Sequence, residues 1–294
     1  MEELKENIVE ELETSEIVDE ALDTIEDSDN TKDTVVKDFF IKETGISIQE
    51  MAILFGQTEE EISKEYGAFK AQKLYKKMDY LIDESVFSYE DFKGKCLLSE
   101  KYGFKSITTL PTYIGLAKDL LKGKNVKVRC LISYPHGEDL SKVKYYSVKN
   151  AIKMGTDAIS VTISSRAIKS GNFKLITKTL KRIIRRANKL PVTAVINVDG
   201  LTSYEVEKTA KIIAKECKIY SIMPCSFNEN KSDYLDTVKS VIQAVDGKCY
   251  VDYGGNIDNV LDTVNVLSVG ANAITSKSCP SIANELNVKI ISNV

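Results

Sequence analysis

The sequence predicts a (β/α)8 (TIM) barrel carrying a helical N-terminal extension. Eight short β-rich runs alternate with amphipathic helical stretches over roughly 215 residues, the pattern of successive βα units around a parallel sheet. The first 77 residues keep a different, helical rhythm. The chain has 294 residues, 43% hydrophobic and 28% charged, enough for one large domain and an appendage. That composition excludes a collagen, a mucin stalk and a wholly disordered chain.

Three regions are expected. Residues 1–33 hold 14 Asp/Glu against two Lys, so an acidic segment precedes a body that is net positive. Within it Leu4, Ile8 and Leu12, then Val18, Leu22 and Ile25, recur at helical spacing. Such a stripe needs a partner surface to be stable; the segment is either a frayed tail or a docking helix. Residues 34–77 form a second helical unit. Its stretch SIQEMAILFGQTEEEISKEYG has helix-turn-helix spacing, with Ala52 between helices, Gly56 at the turn and Ile62 anchoring the second helix. That second helix opens Thr58, Glu59, Glu60, Glu61, which phosphates would repel, so a packing or interaction unit is expected rather than a DNA reader.

Residues 78–294 make the barrel. Strands are expected at 81–87, 104–109, 126–133, 157–163, 192–198, 219–223, 249–253 and 272–276, with helices including Pro111 to Leu121, Ser203 to Cys217 and Asp233 to Val245. Chemistry should sit where strands end and βα loops begin.

Several classes are set aside at this level. There is no run of about 18 apolar residues, and the opening MEELKENIVEELE is acidic where a signal peptide is basic and then apolar. A cytoplasmic location without membrane contact is expected. Cys96, Cys130, Cys217, Cys225, Cys249 and Cys279 stand singly, apart from the sole histidine, His136. Reduced thiols and neither a metal site nor a cofactor are expected. The helix KTLKRIIRRANK presents cations at three- and four-residue spacing. Read alone, it is a solvated face, a dock for an acidic segment such as residues 1–33, or a nucleic-acid contact.

Six motifs then carry a resemblance. TDAISVTISSRAIKSGNF is similar, without gaps, to A-D-E-I-D-M-V-I-N-x-G-A-L-K-S-G-D-Y of the deoxyribose-phosphate aldolase family. VKVRCLISYPHG resembles that family's V-K-V-x-T-V-I-G-F-P-x-G, and LIDES its L-I-D-H-T. YGFKSITTLPTY, YGGNI and GANAITSKS resemble Y-G-F-x-S-V-C-V-N-P-x-Y, S-G-G-I-R and G-A-x-R-I-G-T-S-S. The similarity spans about residues 78–286 in order and implies the barrel fold.

The resemblance also implies a chemistry against which single residues can be read. The family breaks a carbon–carbon bond through a lysine Schiff base, which needs an unprotonated amine and a proton relay. Aligned on the motifs, Ile222 stands at the nucleophilic lysine, Val251 at the helper lysine and Ser160 at the relay aspartate. A one-residue slip brings no lysine back, because Ser221, Met223, Tyr250 and Asp252 flank those positions. Lys277 and Asp252 are the residues on which relocated chemistry would have to rest.

For a phosphate, the expected set is Gly254, Gly255, Ser276, Lys277 and Ser278, glycines and hydroxyls before a helix N-terminus. The alternative is that the glycines only turn the chain. Asp83, Asn197 and Tyr253 are further pocket candidates, each able instead to satisfy a neighbour.

Three functions follow as expectations: a family member that has lost catalysis and acts as a scaffold, partner-binding or sugar-phosphate-binding protein; an active aldolase or lyase on a sugar phosphate with relocated groups; or a sugar-phosphate-responsive DNA-binding regulator. The implied small ligand is a sugar phosphate. The implied macromolecular contact is a protein partner or self-association through residues 1–77, and nucleic acid is not expected.

Overall fold

A computed structural model describes residues 74–84, 88–226 and 234–292. The expectations placed on residues 1–33, and those on the helix-turn-helix-like stretch, lie outside the described residues.

Eight parallel strands close into a barrel in sequence order: β1 Met78–Ile82, β2 Ser106–Thr109, β3 Lys127–Ile132, β4 Ala158–Thr162, β5 Val192–Asn197, β6 Ser221–Ser226, β7 Tyr250–Gly255 and β8 Ala273–Ser276. The helices between them are α1 Tyr89–Tyr102, α2 Ile114–Leu120 after a 3-10 turn at Pro111–Tyr113, α3 Ser141–Lys153 and α4 Ser165–Lys169. They continue with α5 Phe173–Ala187, α6 Ser203–Cys217, α7 Tyr234–Val245, α8 Val260–Ser268 and α9 Cys279–Ser292. Local signals set their ends. Ser88 and Asp91 form a capping box at α1, which stops at Gly103 in the left-handed region; Thr202 and Glu205 do the same at the start of α6.

Two strands depart furthest from their expected bounds. The first occupies Met78–Ile82 rather than 81–87, because the wholly buried run MDYLI supplies the strand and Asp83 already belongs to the mouth. The sixth runs on through Ser226. Pro224 remains inside it, paired with Ile196, at a cost of one strand donor.

Which side chains point inward follows from register. Arg129 reaches Thr193, so it faces the barrel axis. Pairing carries that face from Leu131 to Ser160, from Ser160 to Thr193 and from Thr193 to Ser221. Strand alternation then sends Ile222, Val251 and Tyr253 outward beneath the helices and turns Met223, Cys225, Asp252 and Gly254 inward.

The interior is built in two levels. At the lower level Arg129 lies 3.3 Å from Asp79 and 3.8 Å from Asp252, and the Ser221 hydroxyl donates to Asp252 at 2.9 Å. Above it Leu81, Leu131, Val195, Met223 and Cys225 form an apolar cluster against which Tyr134 packs. This apolar level separates the buried charges from the C-terminal mouth.

Candidate functional site

The strand C-termini surround a cavity of about 860 Å³, the end of the barrel where βα loops collect. Leu81 and Cys225 of the apolar level line its base. Burial raises the Cys225 thiol well above its ordinary value, with Asp199 and Asp83 adding to the shift. It is therefore a packed thiol rather than a nucleophilic thiolate.

Asp83, one residue beyond β1, is nearly buried and held from two sides. Lys277 Nζ approaches one oxygen at 2.8 Å, and the Tyr134 hydroxyl donates to the other at 2.7 Å. Burial first, and then the Asp83 hydrogen bond, raise the Tyr134 phenol, so it serves as a donor. On the β5–β6 side, Ser226 donates to Asp199 at 2.8 Å, and the Asp199 backbone N–H donates to Asn197 at 2.9 Å. On the β4 side, Glu138 accepts from the Ser164 hydroxyl at 3.0 Å and from the Arg166 N–H at 3.1 Å, closing the β3 loop over the start of α4.

The far wall belongs to β7 and β8. Gly255 has φ +140, and a Cβ there would lie 2.5 Å from Ser226 O, so the strand pairing itself requires glycine. A Cβ on Gly254 would meet the Cys225 and Met223 sulfurs at 3.1 Å; its lack of a side chain makes room for the apolar level. The Ser276 hydroxyl donates to Ile257 O at 2.7 Å and accepts the Ser278 N–H at 2.9 Å. Ser278 in turn donates to Asp258 at 2.5 Å.

The fold thus brings Asp83, Asn197, Gly255, Ser276 and Lys277 to one cavity, with Ser278 bonded to one of its lining residues. It does not bring the other candidates there. Asp252 lies below the apolar level in the Arg129 cluster. Tyr253 faces outward, its ring 5.9 Å from that of Tyr234 on α7. Ser160 faces inward and is fully buried, and its hydroxyl has no hydrogen-bond partner among the described residues. Ile222 and Val251 pack on the helix side of the sheet.

Residues absent from the sequence-based set also line the cavity, including Tyr134, Glu138, Arg166, Ser226, Asn256 and Asp258. Their one available signal was position, at the end of strand 6 and in the segments that follow strands 3, 4 and 7. A smaller cavity of about 550 Å³ opens at the opposite end, between the starts of β6, β7 and β8 beside Tyr220 and Tyr250; that end of such a barrel carries stability rather than chemistry. Among the described residues no group of His, Cys, Asp and Glu could hold a metal ion, and no helix is long and apolar enough to cross a membrane.

Comparison with known proteins gives a consistent family. Residues 67–223 match the model of the DeoC/LacD family aldolases. The deoxyribose-phosphate aldolase of Clostridium kluyveri is 25% identical over 214 residues, covering 73% of this chain and 98% of its own. That of Streptococcus suis is 27% identical, covering 72% and 96%. Among solved structures, an aldolase designated QR15 superposes with a TM-score of 0.70 at 22% identity, over 74% of this chain and 98% of its own. The deoxyribose phosphate aldolase of Aeropyrum pernix, described as a unique tetramer, gives 0.64 at 17% identity over 79% and 98%. At these identities the structural likenesses establish the fold.

Proposed function

The chain belongs to the DeoC/LacD family of aldolases, and from that premise we propose that it is a member without Schiff-base catalysis, whose barrel serves as a scaffold with a ligand pocket at its mouth. One observation carries the reading. Ile222 and Val251, at the motif positions of the family's lysines, face the helices, and their inward-facing neighbours Ser221, Met223 and Asp252 include no lysine. With either alignment no amine points to where an imine would form, and Met223 helps fill that space with apolar atoms. Imine formation needs a free amine beside the carbonyl, and no other side-chain type replaces it.

The reading with relocated catalytic groups finds less support. Lys277, the one lysine lining the cavity among the described residues, is the cation of an ion pair with Asp83. Asp252 lies beneath the apolar level beside Arg129, outside the lining of the cavity. A cavity opens at the mouth, and its one lysine among the described residues is committed to Asp83.

Borohydride trapping of the full-length protein with 2-deoxyribose 5-phosphate, read by mass spectrometry of its lysine peptides, tests the proposal. No labelled lysine and no acetaldehyde release are expected. Labelling of Lys277 that disappears in Lys277→Ala, together with turnover, would favour the relocated-group aldolase instead.

A further inference from the structure

We infer that the mouth cavity takes an uncharged polyhydroxylated ligand and turns phosphate esters away, with Asp258 as the residue that sets the difference. The inference rests on the preceding reading that the mouth binds ligand without forming an imine.

An anion at this end of the barrel would be held by the N-terminus of α9, whose first N–H groups and dipole favour negative charge. Here that position already has a carboxylate beside it. Ser278, immediately before the helix, gives its hydroxyl proton to Asp258 at 2.5 Å. Ser276 spends its proton on Ile257 O and receives the Ser278 N–H. Pro280, the second residue of α9, lacks an N–H altogether. The adjacent cation, Lys277, is directed to Asp83. Both serine hydroxyls and the Ser278 N–H are committed, and the carboxylate of Asp258 stands beside them.

Around the whole cavity four carboxylates, Asp83, Glu138, Asp199 and Asp258, face two cations, Arg166 and Lys277, and the imidazole of His136. A doubly charged phosphate entering this field meets net repulsion. A sugar hydroxyl meets acceptors, since a carboxylate takes hydroxyl hydrogen bonds strongly, and the Asn197 and Asn256 amides add donors. Asp258 also steadies the start of α9, and that role uses the same charge that excludes the phosphate.

Calorimetric titration of the full-length protein with 2-deoxyribose, 2-deoxyribose 5-phosphate and inorganic phosphate tests this. Wild type is expected to bind deoxyribose at least tenfold more tightly than its 5-phosphate. Asp258→Asn, which keeps the shape and removes the charge, should tighten 5-phosphate binding at least tenfold and make inorganic phosphate a measurable ligand. Asp258→Ser serves as the second variant should the first melt early. Glu207→Gln, an exposed carboxylate on α6 outside the cavity lining, should leave phosphate binding where it was. Equal or tighter binding of the 5-phosphate by wild type, no gain in either Asp258 variant, or no saturable binding of deoxyribose would each overturn the inference. Tight 5-phosphate binding without cleavage would overturn it alone, whereas cleavage would overturn the loss of catalysis on which it rests.

Discussion

Lys277 and Asp83 join the last strand of the barrel to the first: the Lys277 ammonium lies 2.8 Å from an Asp83 oxygen whose side chain is only 6% exposed. Tyr134, on the loop after β3, holds the second oxygen at 2.7 Å. A carboxylate this deep depends on both partners, because each lone pair left without one carries a desolvation cost. Lys277→Met should therefore destabilise the protein by about 1–2 kcal/mol despite the exposure of the lysine itself, more than an ordinary surface pair would. Tyr134→Phe should cost about 1 kcal/mol. Urea denaturation of the two single variants and the double variant should show non-additivity, since both act on the same carboxylate. Strict additivity would mean that Asp83 does not couple them.

Below the apolar level one guanidinium serves two carboxylates. Arg129→Met should destabilise by about 3–5 kcal/mol, because it leaves Asp79 and Asp252 buried without a cation. The pH dependence lies with Asp79. Burial raises its carboxyl above the ordinary value, and the attraction of Arg129 only partly opposes this. The folded state therefore holds the Asp79 proton to higher pH than the unfolded chain does. Its contribution is fully favourable below the ordinary carboxylate value and is lost as pH rises through the folded value. The stability of Asp79→Asn relative to wild type should accordingly increase from about pH 4 to neutrality, read as the difference between urea midpoints. A difference that shrinks over that range would contradict the assignment.

The barrel was legible because its strands and helices alternate in the sequence, and Ser203 to Cys217 was read to the residue. Strand phase was not legible, for a physical reason. A parallel strand covered on both sides is apolar at nearly every position, so SIMPCS and YVDYGG carry no alternation that says which residue faces the axis. The motif alignment named Ile222 and Val251, and the sequence alone could not say that these two face the helices while Met223 and Asp252 face the axis. Pro224 hid the second half of β6, since proline inside a run argues against a central strand. Asp83, Asn197 and Lys277 were found at the mouth because strand ends are recognisable. Tyr134, Glu138 and Asp258 were not, because loops of that composition have no spacing of their own and only the closed barrel brings them together.

The loop that carries Tyr134 and Glu138 is fixed by a glycine. Gly137 has φ +73, and a Cβ there would lie 2.2 Å from Ile163 O and 2.4 Å from its carbonyl carbon. Gly137→Ala must move backbone at the end of β4, and a loss of about 3 kcal/mol or more is expected. Gly123 has nearly the same dihedral, φ +77, with nothing within 4 Å of its Cβ direction. Gly123→Ala should cost only the left-handed penalty, about 1–2 kcal/mol. Thermal unfolding of the pair separates the two effects, and equal losses would mean that contact with Ile163 contributes nothing.

The same loop is tied from below by a buried lysine. Lys144 on α3 donates to Gly137 O at 2.6 Å and to Thr162 O at 2.8 Å. Burial pushes its amine down to about 8, against the ordinary 10.5, although Asp139 and Glu138 pull the other way. Between those two values the unfolded chain binds the proton that the folded state has released, so this residue's contribution to stability grows as pH rises from about 8 to 10.5. At most it amounts to about 3 kcal/mol at the top of the window, less whatever the two carbonyl bonds lose when the ammonium deprotonates. Lys144→Met abolishes the proton release and leaves both carbonyls without this donor. Wild type and variant should therefore diverge in unfolding free energy across that window, with wild type gaining. A difference that stays flat from pH 8 to 10.5 would mean that Lys144 keeps its proton and acts as a simple ammonium clamp on the β3 loop.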